Sequence, residues 1–366
     1  MSHSTPALTE ADRLMTVCNS CRYCEGLCAV FPAMEMKRAF TDGDLNHLAN
    51  LCHSCGACYH DCQFSPPHEF NVNVPQVLAQ VRTESYAHYA WPAAARPLFA
   101  KHGLVLAIGC VLTFALFMLG FIAFNEPDAL WMAHLDEGRF YALMPHNAMV
   151  VLFGLAFIWM VFAIFMGARA FWRDAGVPDL STVDHASATQ DAARLTYLDG
   201  GGQGCFNADD APDDRRRLWH HFTFYGFLLC FASTSTATLF HYLLGWEAPY
   251  SWWEAPALLG IAGGIGLVIG PIGLLVAKKR RLEALRTPAF RGMEYGFILI
   301  LLLTGSTGLL LRILGETPML GIMLALHLGA VLTLFLTMPY GKFVHGLYRY
   351  LSLARYARDK REIGHG

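Results

Sequence analysis

Charge is what this sequence has least of. Of its 366 residues, 15% are charged and 54% hydrophobic, whereas a soluble domain carries about 25% charged residues. That deficit excludes an ordinary soluble protein and points to a chain built largely for a membrane. A secretory signal is missing too: the opening, MSHSTPALTEADRLMTV, has neither a basic start nor an apolar core. Nor is there a disulfide framework spread through the chain. Of the 11 cysteines, only Cys110, Cys205 and Cys230 are scattered, and the rest fall in two blocks. The blocks are therefore expected in the reducing cytoplasm. No kinase-like or DNA-binding module is legible, which disfavours a redox sensor and excludes nucleic acid as an expected partner. The apolar runs hold no Asp, Glu, Lys or Arg, which disfavours a transporter, since transport sites use broken helices and intramembrane ionisable groups.

The two cysteine blocks share one spacing, C-x2-C-x2-C-x3-C: Cys18, Cys21, Cys24 and Cys28, then Cys52, Cys55, Cys58 and Cys62. It is the spacing of bacterial ferredoxins with two 4Fe–4S clusters, in which the fourth cysteine of each run serves the other cluster. The expected sets are Cys18, Cys21, Cys24 with Cys62, and Cys52, Cys55, Cys58 with Cys28. Zinc, usually held by paired C-x2-C knuckles, fits this doubled pattern less well. The ferredoxin proline after the fourth cysteine stands four residues late here, at Pro32 and Pro66. That departs from the small ferredoxin fold and fits a helical ferredoxin module. His47, His53, His60 and His68 lie nearby, and each is expected at the surface or supporting the cluster ligands without binding iron itself.

Six apolar runs follow, near 104–124, 147–167, 222–246, 255–277, 295–311 and 318–340. About 20 residues of helix cross a bilayer core. The predicted fold is therefore all-α. Residues 1–86 form a helical ferredoxin-like domain, 87–103 an interfacial linker, 104–345 a six-span bundle and 346–366 a basic tail. Basic residues crowd the second and fourth loops and the tail, so the positive-inside rule places the N-terminus, these loops and the C-terminus in the cytoplasm. The cysteine blocks then lie on the same side.

Histidines at or inside spans are candidates for haem b, which needs two imidazoles on facing helices at one depth. His327 and His345 are about 27 Å apart along span six, and the two ends of span three about 30–32 Å. This predicts an outer pair, His241 with His327, and an inner pair, His345 with either His220 or His221. At about 100° per residue, a straight helix puts His220 nearer the face of His241 than His221. His146 opens span two with no evident partner and reads as structural.

The cysteine blocks, the loop YLDGGGQGC, the run RRRLWHHFTFYGFLLCFAST and the tail MPYGKFVHGLYR resemble the tricarballylate/citrate utilization protein B family over nearly the whole chain. The resemblance implies a membrane protein of the bacterial inner membrane with iron–sulfur clusters and haem b. It implies a partner, an FAD-dependent tricarballylate dehydrogenase, whose reduced flavin is reoxidised and whose electrons reach quinone in the lipid bilayer. It supports the eight cysteines as cluster ligands, and the histidines of spans three and six as haem candidates. A similar module serves a flavoprotein of cobalamin biosynthesis, which is the alternative expectation. The spacing of His327 and His345 also looks like that of haem-bearing nitrate reductase gamma subunits. GGGQGC, Gly200–Cys205, lacks the strand–turn–helix setting of a dinucleotide fingerprint and reads as a tight cytoplasmic loop.

Overall fold

In the computed structural model the described residues are 3–125, 127–135, 138–177, 179–287 and 290–364. The first two residues of the N-terminal segment and the last two of the tail lie outside them. So do Glu126, Asp136 and Glu137, between the first two apolar runs.

Each early helix is started by a polar cap. Thr5 accepts the amide of Leu8 at the head of α1 (Pro6–Cys21). After α2 (Val30–Glu35), Thr41 and Asp44 form a reciprocal capping box on α3 (Asp42–Leu51). The short α4 (Ala57–His60) and then α5 (Val74–His88), capped by Asn73, complete the cysteine-rich region. One turn, α6 (Pro97–Ala100), leads to the first long apolar helix, α7 (His102–Phe124). A short α8 (Arg139–Leu143) precedes α9 (His146–Ala175). Polar α10 (Thr182–Arg194) is capped by Ser181 and Asp184. Then come α11 (Arg215–Leu239), α12 (Ala255–Arg280), α13 (Arg291–Leu314) and α14 (Leu320–Thr337), and finally α15 (His345–Gly364).

Six of these helices are long and apolar enough to cross a membrane: α7, α9, α11, α12, α13 and α14 with its short extensions. Several outrun the apolar sequence. The third begins at Arg215, and the second continues to Ala175. The last is shorter than a straight run to His345 would be. It ends at Thr337, and the chain turns through Met338–Tyr340 and Lys342–Val344 before α15 starts at His345. Pro339, without an amide proton, interrupts the ladder there. Among the described residues the departure from an all-helical fold is one ribbon, β1 (Cys205–Phe206) antiparallel to β2 (Pro212–Asp213).

Small residues let the spans close up. On α11 and α12, Gly226 lies against Gly266, and Gly263 against Cys230. Thr113 of α7 donates to the Gly329 carbonyl of α14 at 2.8 Å. Gly226 is the one buried residue of α11, so most of that helix is left half-exposed or exposed.

The cysteine-rich region shares its core with the end of the chain. Leu14, Met34, Leu45 and Leu78 of the first helices pack with Ala188 of α10 and Leu353 and Ala354 of α15. Asp44 of α3 is ion-paired with Arg355 of α15. Tyr86, Tyr89, Phe171 and Tyr348 form an aromatic cluster that joins α5, α9 and α15. This core fixes the cysteines against one end of the membrane bundle.

Candidate cofactor sites

Backbone turns place the eight thiols. Cys18 and Cys21 occupy the last turn of α1, which Arg22 ends in the left-handed region. Cys52 is the extended C-cap of α3. Gly56, at φ +91°, turns the chain into α4, where a Cβ would come within 2.8 Å of Leu285. Cys18, Cys21, Cys24 and Cys62 line one small pocket, with Phe31 and Phe64 among its walls. Cys28 lies instead in the field of Cys55 and Cys52, and Cys58 in that of Cys55, Cys28, Cys52 and, last, Cys24. Cys62 thus shares a pocket with the first three cysteines, and Cys28 has Cys55 and Cys52 among its neighbours.

Burial, reinforced by the neighbouring thiols, pushes Cys18 and Cys24 up to about 12. Cys28 and Cys58 are pushed well above their ordinary value for the same reasons. Thiolates so crowded need a cationic centre, which is the donor chemistry of an iron–sulfur cluster. The Ser54 amide donates to Cys52 Sγ at 3.3 Å, a contact of the kind that tunes cluster sulfurs. Among the described residues no three ligating side chains close on one point as a single ion requires. A cluster is held by thiols spaced round several irons.

The two sets differ in exposure. Cys21 is exposed and Tyr23, two residues on, is 73% exposed. Cys52 is buried, and the second set is covered by the GGGQGC loop. Gly200, Gly201, Gly202 and Gly204 all have positive φ, which glycine adopts without penalty. Gly200 abuts Ala57, Gly201 abuts Leu27, and a Cβ on Gly204 would meet the Asp213 backbone at 2.5 Å. The Phe206 amide donates to the Cys55 carbonyl at 2.9 Å, and its ring stacks on His60. Cys205 is buried beside Cys55. The sequence marked this segment as a tight loop. Its place over the second cysteine set is visible only in three dimensions.

The histidines sort into one facing pair and several others. His220 and His345 have ring centroids 6.1 Å apart, with planes at 76°. Two imidazoles facing each other across one iron, with bonds near 2 Å, have centroids about 6 Å apart. His345 Nδ1 is held by the Lys342 carbonyl at 2.5 Å, which leaves Nε2 free. His220 Nδ1 is buried without a partner. These residues fit a haem. His221 turns away and stacks on Tyr225.

The expected outer pair does not form. His241 stacks on His146 at 3.7 Å, with Tyr141 and Tyr242 around it, and a direct stack leaves no room for an iron. His327 instead meets Thr307 Oγ1 through Nδ1 at 3.2 Å. Spacing along a helix fixes depth but not which neighbour lies beside a side chain, and the neighbour of His241 is the start of α9. His146 thereby gains the partner that the sequence did not suggest. The cysteine-block histidines also divide. His60 is exposed and His68 half-buried, but His47 and His53 are buried, and burial holds both well below the ordinary histidine value. His102, not singled out by sequence, is buried against Gly341, where a Cβ would meet its ring at 2.2 Å.

Two arginines tie the facing histidines to the second cysteine loop. Arg216, one turn before His220, donates to the carbonyls of His53 at 2.9 Å and Ser54 at 3.0 Å. Arg349, one turn after His345, donates to those of Asn50 at 3.1 Å and Cys52 at 2.9 Å.

Residues 11–88 match the family described as Citrate utilization protein B Fer4-like domain, and residues 98–366 the family described as Citrate utilization protein B. The chain is 48% identical over 353 residues to Citrate utilization protein B of Escherichia coli, which covers 96% of this chain and 92% of that protein. No solved structure matches it.

Proposed function

The chain belongs to the citrate utilization protein B family, and from that premise we propose that it is a membrane electron conduit serving tricarboxylate utilization. Cys18, Cys21, Cys24 and Cys62 hold one 4Fe–4S cluster on the exposed face of the N-terminal region. Cys52, Cys55, Cys58 and Cys28 hold a second beneath the glycine loop. His220 and His345 hold one haem b at the bundle end nearest that loop. These groups supply one-electron chemistry between two-electron partners. The donor is the reduced flavin of a tricarballylate dehydrogenase-like flavoprotein, which gives up two electrons and two protons. The acceptor is a membrane quinone, which takes up the same number of each. The observation that carries the reading is the double tie of Arg216 and Arg349, each one turn from a histidine of the pair and both bonded to the second cysteine loop.

The basic ends of α12 and α15 lie on the side of the cysteine-rich region, which supports a cytoplasmic position for all three. A bacterial inner membrane, with the cysteine-rich region on its cytoplasmic side, is the location that this reading implies. Metal analysis and absorption spectra of the purified protein test the proposal. About eight irons in cluster form and a reducible haem b band per chain are expected. Fewer than about four cluster irons, or no such band, overturns it.

A further inference from the structure

Four arginines from four separate segments converge on the short stretch that ends in Cys52, His53 and Ser54. Arg82 of α5 donates to the Ala49 carbonyl at 3.3 Å, to that of Cys52, and to Ser54 Oγ at 3.4 Å. Arg216 and Arg349 bond the same stretch from α11 and α15. Arg281, just after α12, reaches the Ser54 carbonyl at 3.5 Å and keeps a buried Nε without a partner. Burial, and then the charges of the other arginines, hold Arg281 and Arg349 down to about 10, so both remain cations at neutral pH. Among the described residues no carboxylate lies within 4.0 Å of any of the four.

Arg82 is buried and the other three are half-buried, and the one acidic charge acting on them, Glu294 on Arg281, is already paired with Lys278 and Lys342. Cations so placed are costly, and a few carbonyl dipoles at the end of α3 do not balance four full charges. The anionic group beside them is the second cysteine set. A 4Fe–4S core with four thiolates carries about two negative charges when oxidised and three when reduced. Among the described residues the first set has no such collar. The arginine at its pocket, Arg22, is exposed to solvent and donates to the Asn19 carbonyl, where its field is screened.

We propose that Arg82, Arg216, Arg281 and Arg349 raise the reduction potential of the second cysteine set's cluster above that of the first, so that electrons run from the exposed set to the buried one and on toward His220 and His345. This rests on the two-cluster reading given above. Burial under the glycine loop acts the other way, because a low dielectric disfavours the more negative reduced state. The collar outweighs it by number: at about 8 Å and an effective dielectric near 20, each cation changes the reduction equilibrium by a factor of ten or more. The step adds one electron, supplied by a reduced flavin, and makes or breaks no bond.

The test is a redox titration of the full-length protein in detergent, followed by electron paramagnetic resonance and by the haem absorption band. A C28S variant assigns the second cluster's signal. In R349Q and in R82Q, the equilibrium constant for reducing that cluster is expected to fall about tenfold, a shift of about 59 mV for a one-electron couple. The first cluster stays put, and R349K keeps most of the wild-type value. Unmoved cluster midpoints in both glutamine variants overturn the proposal. So does a shift confined to the haem band, which would assign the arginines to the haem carboxylates. A wild-type protein without two cluster signals overturns the underlying reading and the proposal with it.

Discussion

Asp44→Asn tests how the cysteine-rich region is held to the rest of the chain. Asp44 sits in the first turn of α3, and its carboxylate meets Arg355 of α15, with Lys37 at 3.6 Å and the Thr41 hydroxyl at 2.7 Å. The side chains are 12% and 5% exposed, so solvent screens the pair little. Burial alone would raise the carboxyl, but hydrogen bonds from Arg355 and Thr41 outweigh it and hold Asp44 at about 2, against an ordinary 3.8. A difference near two units corresponds to about 2.5 kcal/mol. The sign follows from linkage. A carboxylate with a depressed folded pKa contributes fully above its unfolded value, and the contribution is lost as the pH falls from about 4 to about 2. At pH 7, Asp44→Asn should therefore cost about 2–3 kcal/mol, seen as a lower melting temperature in detergent and faster amide exchange in α3 and α15. The gap between variant and wild type should narrow below pH 4 and close near pH 2. A double-mutant cycle with Arg355→Met should return a coupling of about 2 kcal/mol. A loss at pH 7 under 0.5 kcal/mol, or a gap that persists at pH 2, would refute the reasoning.

His345→Ala and His220→Ala should each abolish the reducible haem b band, while His221→Ala, His241→Ala and His327→Ala leave it; optical difference spectra decide. Cys62→Ser should remove the exposed cluster and Cys28→Ser the buried one, each leaving about four of eight irons by metal analysis. Gly204→Val places a β-branched residue at φ +102° against the Asp213 backbone, at a cost of at least about 2 kcal/mol. The loop should open, and the second cluster should bleach faster in air than in the wild type, while unchanged bleaching would count against its role as a cover.

The six membrane helices were legible because each rests on a local property, a run without charge long enough for a bilayer. The two cysteine blocks were legible as cluster-binding runs, since a fixed spacing dictates which thiols a short turn can gather, but which block the fourth cysteine of each run serves is a matter of tertiary structure. The partner of His241 was not legible, because the helix that lies beside its ring is set by the packing of α9 against α11, which leaves no mark in periodicity. The role of GGGQGC needed the tertiary contact with Ala57 and Leu27. The arginine collar was hidden for a related reason. Arg82, Arg216, Arg281 and Arg349 stand far apart in sequence, and the latter three resemble the basic residues that orient any membrane protein.

The bond between Asp44 and Arg355 spans 311 residues, and with Arg349 it makes the last helix a closing clasp on the earliest part of the chain. A ribosome releases α3 long before it makes α15, and every membrane helix must be inserted in between. The nascent cysteine-rich region therefore waits, its core missing Leu353 and Ala354. A product cut short before α15 lacks half of the histidine pair as well as the clasp. The core around the cysteine blocks is thereby completed only when synthesis is finished, because Leu353 and Ala354 come from the last helix.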